Sequence, residues 1–118
     1  MINRLERIFN TYKFPLHNEK ALQQAIEDAL IKEKIAYSRE FKLDAKNIPD
    51  FVLETKEGVI AIEVKLKANK KAIYRQLERY AGFKGVEQLI LVTNTAMGLP
   101  ETINGKPIYF FSLGKLWL

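Results

Sequence analysis

Three charged residues interrupt two short apolar runs, and their types could together bind a metal ion. Asp50 lies in the run IPDFVL, whereas Glu63 and Lys65 lie in the run GVIAIEVK. A carboxylate or an ammonium group inside a buried strand costs free energy unless it has a partner such as a cation. The pattern therefore predicts a site built from two carboxylates and one ammonium group.

Both runs predict β-strands, because they are rich in β-branched and aromatic residues, and the intervening Glu57-Gly58 predicts a hairpin. If two residues form the turn, Asp50 lies opposite Glu63 or opposite Lys65, according to which two they are. Directly opposed side chains share a face, and side chains alternate along a strand. Either register therefore places all three charged side chains on one face. The other face is expected to hold Ile60, Ile62, Val64 and Leu66.

The composition limits the classes of protein that the chain can belong to. Its 118 residues, with no linker-like segment, predict a single domain over residues 1–118. The absence of cysteine excludes disulfides and thiolate metal sites and is compatible with the cytoplasm. A formal charge of +5 favours a polyanionic partner. We expect no membrane partner, because no apolar run is long enough for a span and the N-terminus is too charged for a signal peptide.

Apolar periodicity and punctuation residues predict the order α-α-β-β-β-α-β-β, which is typical of an α/β or α+β fold with a mixed central sheet flanked by helices. The predicted helices are Leu5–Tyr12, a helix from the N-cap Asn18 to about Lys34, and Lys70 to about Ala81 behind the N-cap Asn69. The predicted strands are Ile35–Leu43, Asp50–Thr55, Val59–Lys67, Gln88–Thr93 and Pro107–Leu113. Loops are expected at residues 98–100 and 104–105.

The segment Pro49-Asp50 followed by Glu63-Val64-Lys65 resembles the signature of the PD-(D/E)XK nucleases. The resemblance implies a restriction-endonuclease-like core, in the order α-β-β-β-α-β, over about residues 18–94. Within that family the chain is most similar to the small Holliday-junction-resolvase-like and virus-type replication-repair nucleases. The implied activity is that of a Mg²⁺-dependent DNA endonuclease, which hydrolyses phosphodiester bonds and is selective for branched or junction DNA.

The same resemblance gives the charged residues their expected roles. Asp50, Glu63 and the backbone carbonyl of Val64 offer hard oxygen ligands, which suit Mg²⁺ or Mn²⁺. Lys65 would orient or deprotonate a water molecule, or would stabilise the phosphate. The sequence does not choose among these roles of Lys65, nor between one metal ion and two.

Glu19 matches the Glu that this family carries near the start of its first core helix, and it would help to bind metal. Helical geometry supports the match, because Glu19 shares a stripe with Leu22, Ile26 and Leu30 and so points towards the sheet. The alternative is that an acidic residue in the first turn only complements the helix dipole.

Gln76 lies on the same predicted helix face as Ile73, Leu77 and Tyr80. Together with Tyr80 it resembles the Gln-x-x-x-Tyr element of exonuclease branches of the family, in which it would position the scissile phosphate or the Lys65 ammonium. The alternative is an amide at the core boundary and a tyrosine whose hydroxyl reaches water.

The opposite face of this helix is basic and is expected to contact DNA phosphates, although a solvated helix face is the alternative. The residues expected to bind nucleic acid are Lys67, Lys70, Lys71, Arg75, Arg79 and Tyr80. The single histidine, His17, has no partners that would form a metal or general-base site, and we assign it no catalytic role.

Two further interpretations concern the whole protein. The alternative to an enzyme is a catalytically inactive nucleic-acid-binding or interaction module with the same fold. A homodimer is expected because the last strand is apolar on both faces and the tail Leu116-Trp117-Leu118 adds apolar area. The alternative to the homodimer is that the first helix folds back over this strand.

Overall fold

Six strands form one mixed sheet, with helices on both faces, in the computed structural model, which describes residues 1–67, 69–95 and 98–113. The elements are α1 (Ile2–Thr11), α2 (Glu19–Lys32), β1 (Ser38–Arg39), β2 (Phe51–Thr55), β3 (Gly58–Lys65), α3 (Lys70–Ala81), β4 (Val86–Thr93), β5 (Thr102–Ile103) and β6 (Lys106–Ser112). The strand order is β1-β2-β3-β4-β6-β5. The pairs β3–β4 and β4–β6 are parallel, and the other pairs are antiparallel. The predicted mixed sheet and α+β class are confirmed.

Asparagine caps fix the starts of the two longer helices, as the sequence predicts. The Asn18 side chain accepts a hydrogen bond of 2.7 Å from the backbone N–H of Ala21. Asn69 accepts one of 3.1 Å from Ala72. These bonds satisfy N–H groups that a helix start leaves without partners.

No helix in the described ranges is long and apolar enough to cross a membrane, and the longest, α2, has 14 residues.

The sheet separates two apolar cores. We call the core beneath α1 and α2 the helix-pair core and the core beneath α3 the α3 core. The helix-pair core contains Leu5, Phe9, Leu22, Ile26, Leu30, Phe51, Ile60, Ile62 and Val64. The α3 core contains Ala61, Ile73, Leu77, Tyr80, Leu89, Leu91 and Ile108. Alternation along β3 therefore sends successive side chains into different cores.

Two details of the predicted order are wrong. The predicted strand Ile35–Leu43 is reduced to Ser38–Arg39, because Glu40 has a φ of 49° and the chain leaves the sheet there. The strand β5 is absent from the predicted order and lies between the two predicted loops. It pairs with β6 through a turn in which Asn104 and Gly105 have φ values of 52° and 76°, as a tight two-residue hairpin requires.

The β2–β3 hairpin selects one of the two predicted registers. Thr55 pairs with Gly58 and Phe51 pairs with Ile62, so Lys56 and Glu57 form the turn. Continued by one residue, the same register places Asp50 opposite Glu63. The turn thus sets which charged residues face each other.

We expect Gly58→Ala to lower the free energy of unfolding by roughly 1–3 kcal/mol. Gly58 has a φ of +116°, and an added Cβ would collide with the side chain of Glu87. Gly85→Ala is the matched control, because its Cβ would meet no atom within 4 Å. Urea unfolding measures both variants, and equal losses in the two would contradict the strain at Gly58.

Helix α1 covers one face of β6, as the alternative to the homodimer predicts. The rings of Phe9 and Phe111 stack with centroids 5.0 Å apart. On the other face, Ile108 and Phe110 pack in or against the α3 core. The described part of β6 therefore gives no support for a homodimer, and the tail Leu116-Trp117-Leu118 lies outside the described residues.

Candidate active site

Asp50, Glu63 and Lys65 lie on the face of the sheet that α3 covers. Along β3, Glu63 and Lys65 alternate with Ile62 and Val64, which belong to the helix-pair core. Asp50 directly precedes Phe51, which belongs to the same core. The predicted common face of the three charged residues is thus present in the structure.

Glu63 is the most deeply buried of the three, with 2% of its surface exposed. Its Oε1 accepts a hydrogen bond of 3.0 Å from the Tyr80 hydroxyl, and its Oε2 lies 3.4 Å from the Nζ of Lys65. Burial, followed by the negative charge of Asp50, raises the pKa of Glu63 to about 7, although Lys65 and Tyr80 oppose this rise. Burial and Asp50 therefore destabilise the ionised form of Glu63 more than Lys65 and Tyr80 stabilise it.

Asp50 has a similar environment at the start of β2. Its Oδ2 accepts a hydrogen bond of 2.7 Å from the backbone N–H of Val64. Burial raises the pKa of Asp50 to about 6, against the lowering effects of this hydrogen bond and of Lys65. Two adjacent carboxyl groups with raised pKa values are typical of a site that binds a cation or transfers protons.

Glu19 approaches this site from the opposite layer, around the end of β3. Its Oε1 accepts a hydrogen bond of 2.9 Å from the backbone N–H of Leu66. After burial, its negative charge contributes to the raised pKa of Asp50. The predicted orientation of Glu19 towards the sheet is confirmed. In this structure the carboxylate links the start of α2 to the end of β3.

Gln76 and Tyr80 continue the site into α3. The Tyr80 side chain is fully buried and donates to Glu63, and it also hydrogen bonds with the partly buried Gln76. The expectation that Tyr80 contacts nucleic acid is wrong, because neither its ring nor its hydroxyl reaches the surface. The alternative with its hydroxyl in water is wrong for the same reason. Burial, and then the charge of Glu63, raises the pKa of Tyr80, so its hydroxyl remains a donor.

The other residues expected to bind nucleic acid are exposed and lie after the C-terminal end of β3 or on α3. They are Lys67, Lys70, Lys71, Arg75 and Arg79. The Nε of Arg79 donates a hydrogen bond of 3.0 Å to Asn47, which ties α3 to the loop before β2. Exposed cations at these positions are accessible to phosphate groups.

Arg39 is a neighbour of the site that the sequence does not reveal. Arg39 pairs with Phe51 across the β1–β2 ladder, and its guanidinium lies 5.2 Å from the centre of the Phe51 ring. The same guanidinium donates hydrogen bonds to the side chains of Gln23 and Glu27. Its positive charge lowers the pKa of Asp50. The residue lies in a predicted strand, but nothing in the sequence identifies β2 as the partner of that strand.

The donor set fits a hard divalent cation that keeps part of its water shell. Within residues 1–67, 69–95 and 98–113, no group of three or more His, Cys, Asp or Glu side chains is arranged to hold a metal ion. Mg²⁺ needs only one or two carboxylates, since water and substrate phosphates complete its shell. Asp50 and Glu63 supply two carboxylates, and the Val64 carbonyl is the third predicted ligand. Glu19 is less available, because Leu66 already occupies one of its oxygens.

No family model matches this chain, and comparisons with curated proteins and with solved structures found no match either. The resemblance to PD-(D/E)XK nucleases thus depends on the short motif around Asp50, Glu63 and Lys65. Any assignment of function depends on that motif and on the geometry of the site.

Proposed function

We propose that this protein is a Mg²⁺- or Mn²⁺-dependent DNA endonuclease of the PD-(D/E)XK type that hydrolyses phosphodiester bonds. The observation that carries the proposal is that the buried Glu63 and the partly buried Asp50 lie opposite each other across a hairpin, with the Lys65 ammonium 3.4 Å from Glu63. Both carboxyl groups have raised pKa values. A divalent cation would stabilise their ionised forms, which the protein alone stabilises incompletely.

Asp50, Glu63 and the Val64 carbonyl are the proposed metal ligands. A bound Mg²⁺ lowers the pKa of its water and stabilises charge on a transferring phosphoryl group. The Lys65 side chain remains 29% exposed while contacting Glu63, so its Nζ lies where carboxylate and solvent meet. From there it can hold the attacking water or donate to a phosphate oxygen.

Three further side chains act by positioning these groups. Tyr80 holds Glu63 through its hydroxyl, and Gln76 in turn hydrogen bonds with Tyr80. Glu19 fixes the end of β3 directly after Lys65. Groups that orient metal ligands commonly change metal affinity or activity by about 10–100-fold when they are removed.

The proposed substrate is cytoplasmic DNA, recognised mainly through its phosphates. The charge of +5 and the exposed cations of α3 favour a polyanion, and phosphate contacts read no base sequence. Branched or junction DNA is the substrate that the resemblance implies. Symmetric cleavage of two strands would require a second copy of the site, as in a homodimer. Because α1 covers β6, we expect a monomer to nick one strand.

One observation favours the inactive module as the second candidate. Each of the three carboxylates already has a partner within the protein: Leu66 for Glu19, Val64 for Asp50, and Tyr80 with Lys65 for Glu63. Such a network can connect α2, β3 and α3 without any catalysis. This candidate predicts that DNA is bound but not cleaved.

Nicking of a supercoiled plasmid tests the two candidates. Cleavage is expected with Mg²⁺ or Mn²⁺, and none with EDTA. Branched, duplex and single-stranded DNAs of matched sequence, with RNA for comparison, then identify the preferred substrate. Binding of DNA without cleavage at any concentration of either metal would reject the enzyme and leave the module.

We expect Tyr80→Phe to reduce cleavage by roughly 10–100-fold, because it removes the hydrogen bond that holds Glu63. Tyr12→Phe is the matched control, since the Tyr12 hydroxyl donates a hydrogen bond of 2.6 Å to Glu33, which lies at the opposite end of α2 from Glu19. Both changes remove one tyrosine–carboxylate hydrogen bond. Equal activities of the two variants under saturating Mg²⁺ would show that Tyr80 has only a structural role.

A further inference from the structure

A pocket of about 250 Å³ lies against the first two turns of α3. The proposed function uses its cations as general phosphate contacts and assigns the pocket itself no ligand. Its lining combines apolar surface with cationic side chains. The described residues that line it are Lys70, Lys71, Tyr74, Arg75, Gly98 and Leu99.

Helical spacing brings the aromatic residue and the cations of this pocket together. At 3.6 residues per turn, Lys70, Tyr74, Lys71 and Arg75 occupy one continuous arc of roughly 140°. The Tyr74 ring is partly buried and packs against the α3 core, as does Leu99. The three cations are exposed. The pocket thus combines a partly buried aromatic ring with exposed positive charges.

The charge of the lining identifies the chemistry of its occupant. Of the six lining residues that the structure describes, three are cations and none is acidic, so this part of the pocket complements an anion. An aromatic ring beside these cations complements a flat ring that carries a phosphate. Proteins that bind single-stranded nucleic acid combine these same two features, with bases stacked on aromatic side chains and phosphates beside basic groups.

We propose that this pocket binds one unpaired nucleotide of the DNA substrate, with its base against Tyr74 and its phosphates beside Lys70, Lys71 and Arg75. The volume suits a single nucleoside, because it is below the range of about 300–1,000 Å³ for pockets that hold larger ligands. A base inside a duplex is stacked on both faces and must be flipped out before it can enter. The pocket therefore favours DNA with unpaired nucleotides, such as flaps, junctions and single strands.

The pocket is close enough to the proposed active site to select its substrate. Lys70 follows Lys65 by five positions, and a chain segment of that length spans at most about 17 Å. A nucleotide held by Tyr74 would thus lie within a few nucleotides of the cleaved phosphate. This inference rests on the proposed nuclease function and specifies the substrate of that site.

The test is binding of single-stranded and blunt duplex oligonucleotides of the same sequence to the full chain in EDTA, where no cleavage occurs. A 2-aminopurine base at successive positions of the single strand reports stacking through its fluorescence. We expect Tyr74→Ala to weaken single-strand binding by roughly 5–100-fold and to abolish the position-dependent quenching. Duplex binding should change less than twofold. Tyr74→Phe should behave as wild type.

Tyr109→Ala is the matched control, because Tyr109 is also partly buried but packs against the helix-pair core on the other side of the sheet. It should leave both affinities unchanged. Lys71→Ala and Arg75→Ala should weaken both single-strand and duplex binding and lower the salt dependence of each. If Tyr74→Ala does not fold, Tyr74→Leu keeps the apolar bulk while removing the aromatic ring.

Equal effects of Tyr74→Ala on single strand and duplex, or no effect on either, would overturn the nucleotide pocket. Retention of the quenching in Tyr74→Leu would do the same. These outcomes are separate from failure of the nuclease proposal, because binding is measured without metal. A wild-type protein that cleaves no DNA would reject the nuclease proposal. Normal binding and normal quenching by the Asp50→Asn variant would still support the nucleotide pocket.

Discussion

Asp50→Asn and Glu63→Gln are each expected to lower plasmid cleavage by about a thousandfold or more. Each substitution keeps the shape of the side chain and removes the negative charge that would hold a divalent cation. Cleavage rates at saturating Mg²⁺ measure the effect. Lys65→Ala should also lower cleavage by orders of magnitude, since it removes the ammonium nearest to Glu63.

Glu54→Gln is the matched control for these substitutions. Glu54 lies on the same hairpin, but its side chain is exposed. Its variant should cleave as wild type does. Near-normal activity of Asp50→Asn would refute the assignment of the site, whatever the other variants do.

The second large effect concerns stability in the absence of metal. We expect the free energy of unfolding to fall as the pH rises from about 4 to about 7. Folding raises the pKa of Asp50 from 3.8 to about 6 and that of Glu63 from 4.5 to about 7. Between these values the folded protein binds more protons than the unfolded chain, so raising the pH favours unfolding.

The size of this effect follows from the change in pKa. A carboxyl group whose pKa rises from 4.5 to about 7 lowers stability above pH 7 by roughly 3 kcal/mol, and coupling to Asp50 means that the two effects do not simply add. Glu33 and Asp44 have lowered pKa values, so their contribution is lost as the pH falls through their ordinary values of 4.5 and 3.8, which is the opposite direction. A loss of stability as the pH rises towards 7 therefore reports on Asp50 and Glu63.

Urea unfolding in EDTA from pH 4.5 to pH 8 measures this dependence. Glu63→Gln should flatten it and should be more stable than wild type at pH 8, because a buried like-charge pair is removed. Mg²⁺ should stabilise the wild type at pH 8 far more than the variant, since a ligand that binds only the folded state adds stability. A flat profile for the wild type, with no effect of Mg²⁺, would show that the carboxyl groups have ordinary pKa values.

The sequence determined those features that depend on neighbours along the chain. Asn18 and Asn69 mark the starts of α2 and α3 because an N-cap bonds to an N–H only three positions ahead. The common face of Asp50, Glu63 and Lys65 is also local, since alternation along a strand holds in either hairpin register. Most of the elements and the core of the candidate site could therefore be read in advance.

Only the tertiary structure decided which groups from distant segments meet. Tyr80 is a buried donor to Glu63 rather than a surface residue, because α3 packs directly over β3. The Glu19 carboxylate accepts a hydrogen bond from Leu66 across 47 positions of the chain. The pairing of β1 with β2 brings the charge of Arg39 near enough to lower the pKa of Asp50. The choice of α1 as the cover of β6 was likewise open in the sequence. Such contacts depend on the packing of whole elements. A local sequence pattern predicts which face of an element is apolar, but it does not identify the element that packs against this face.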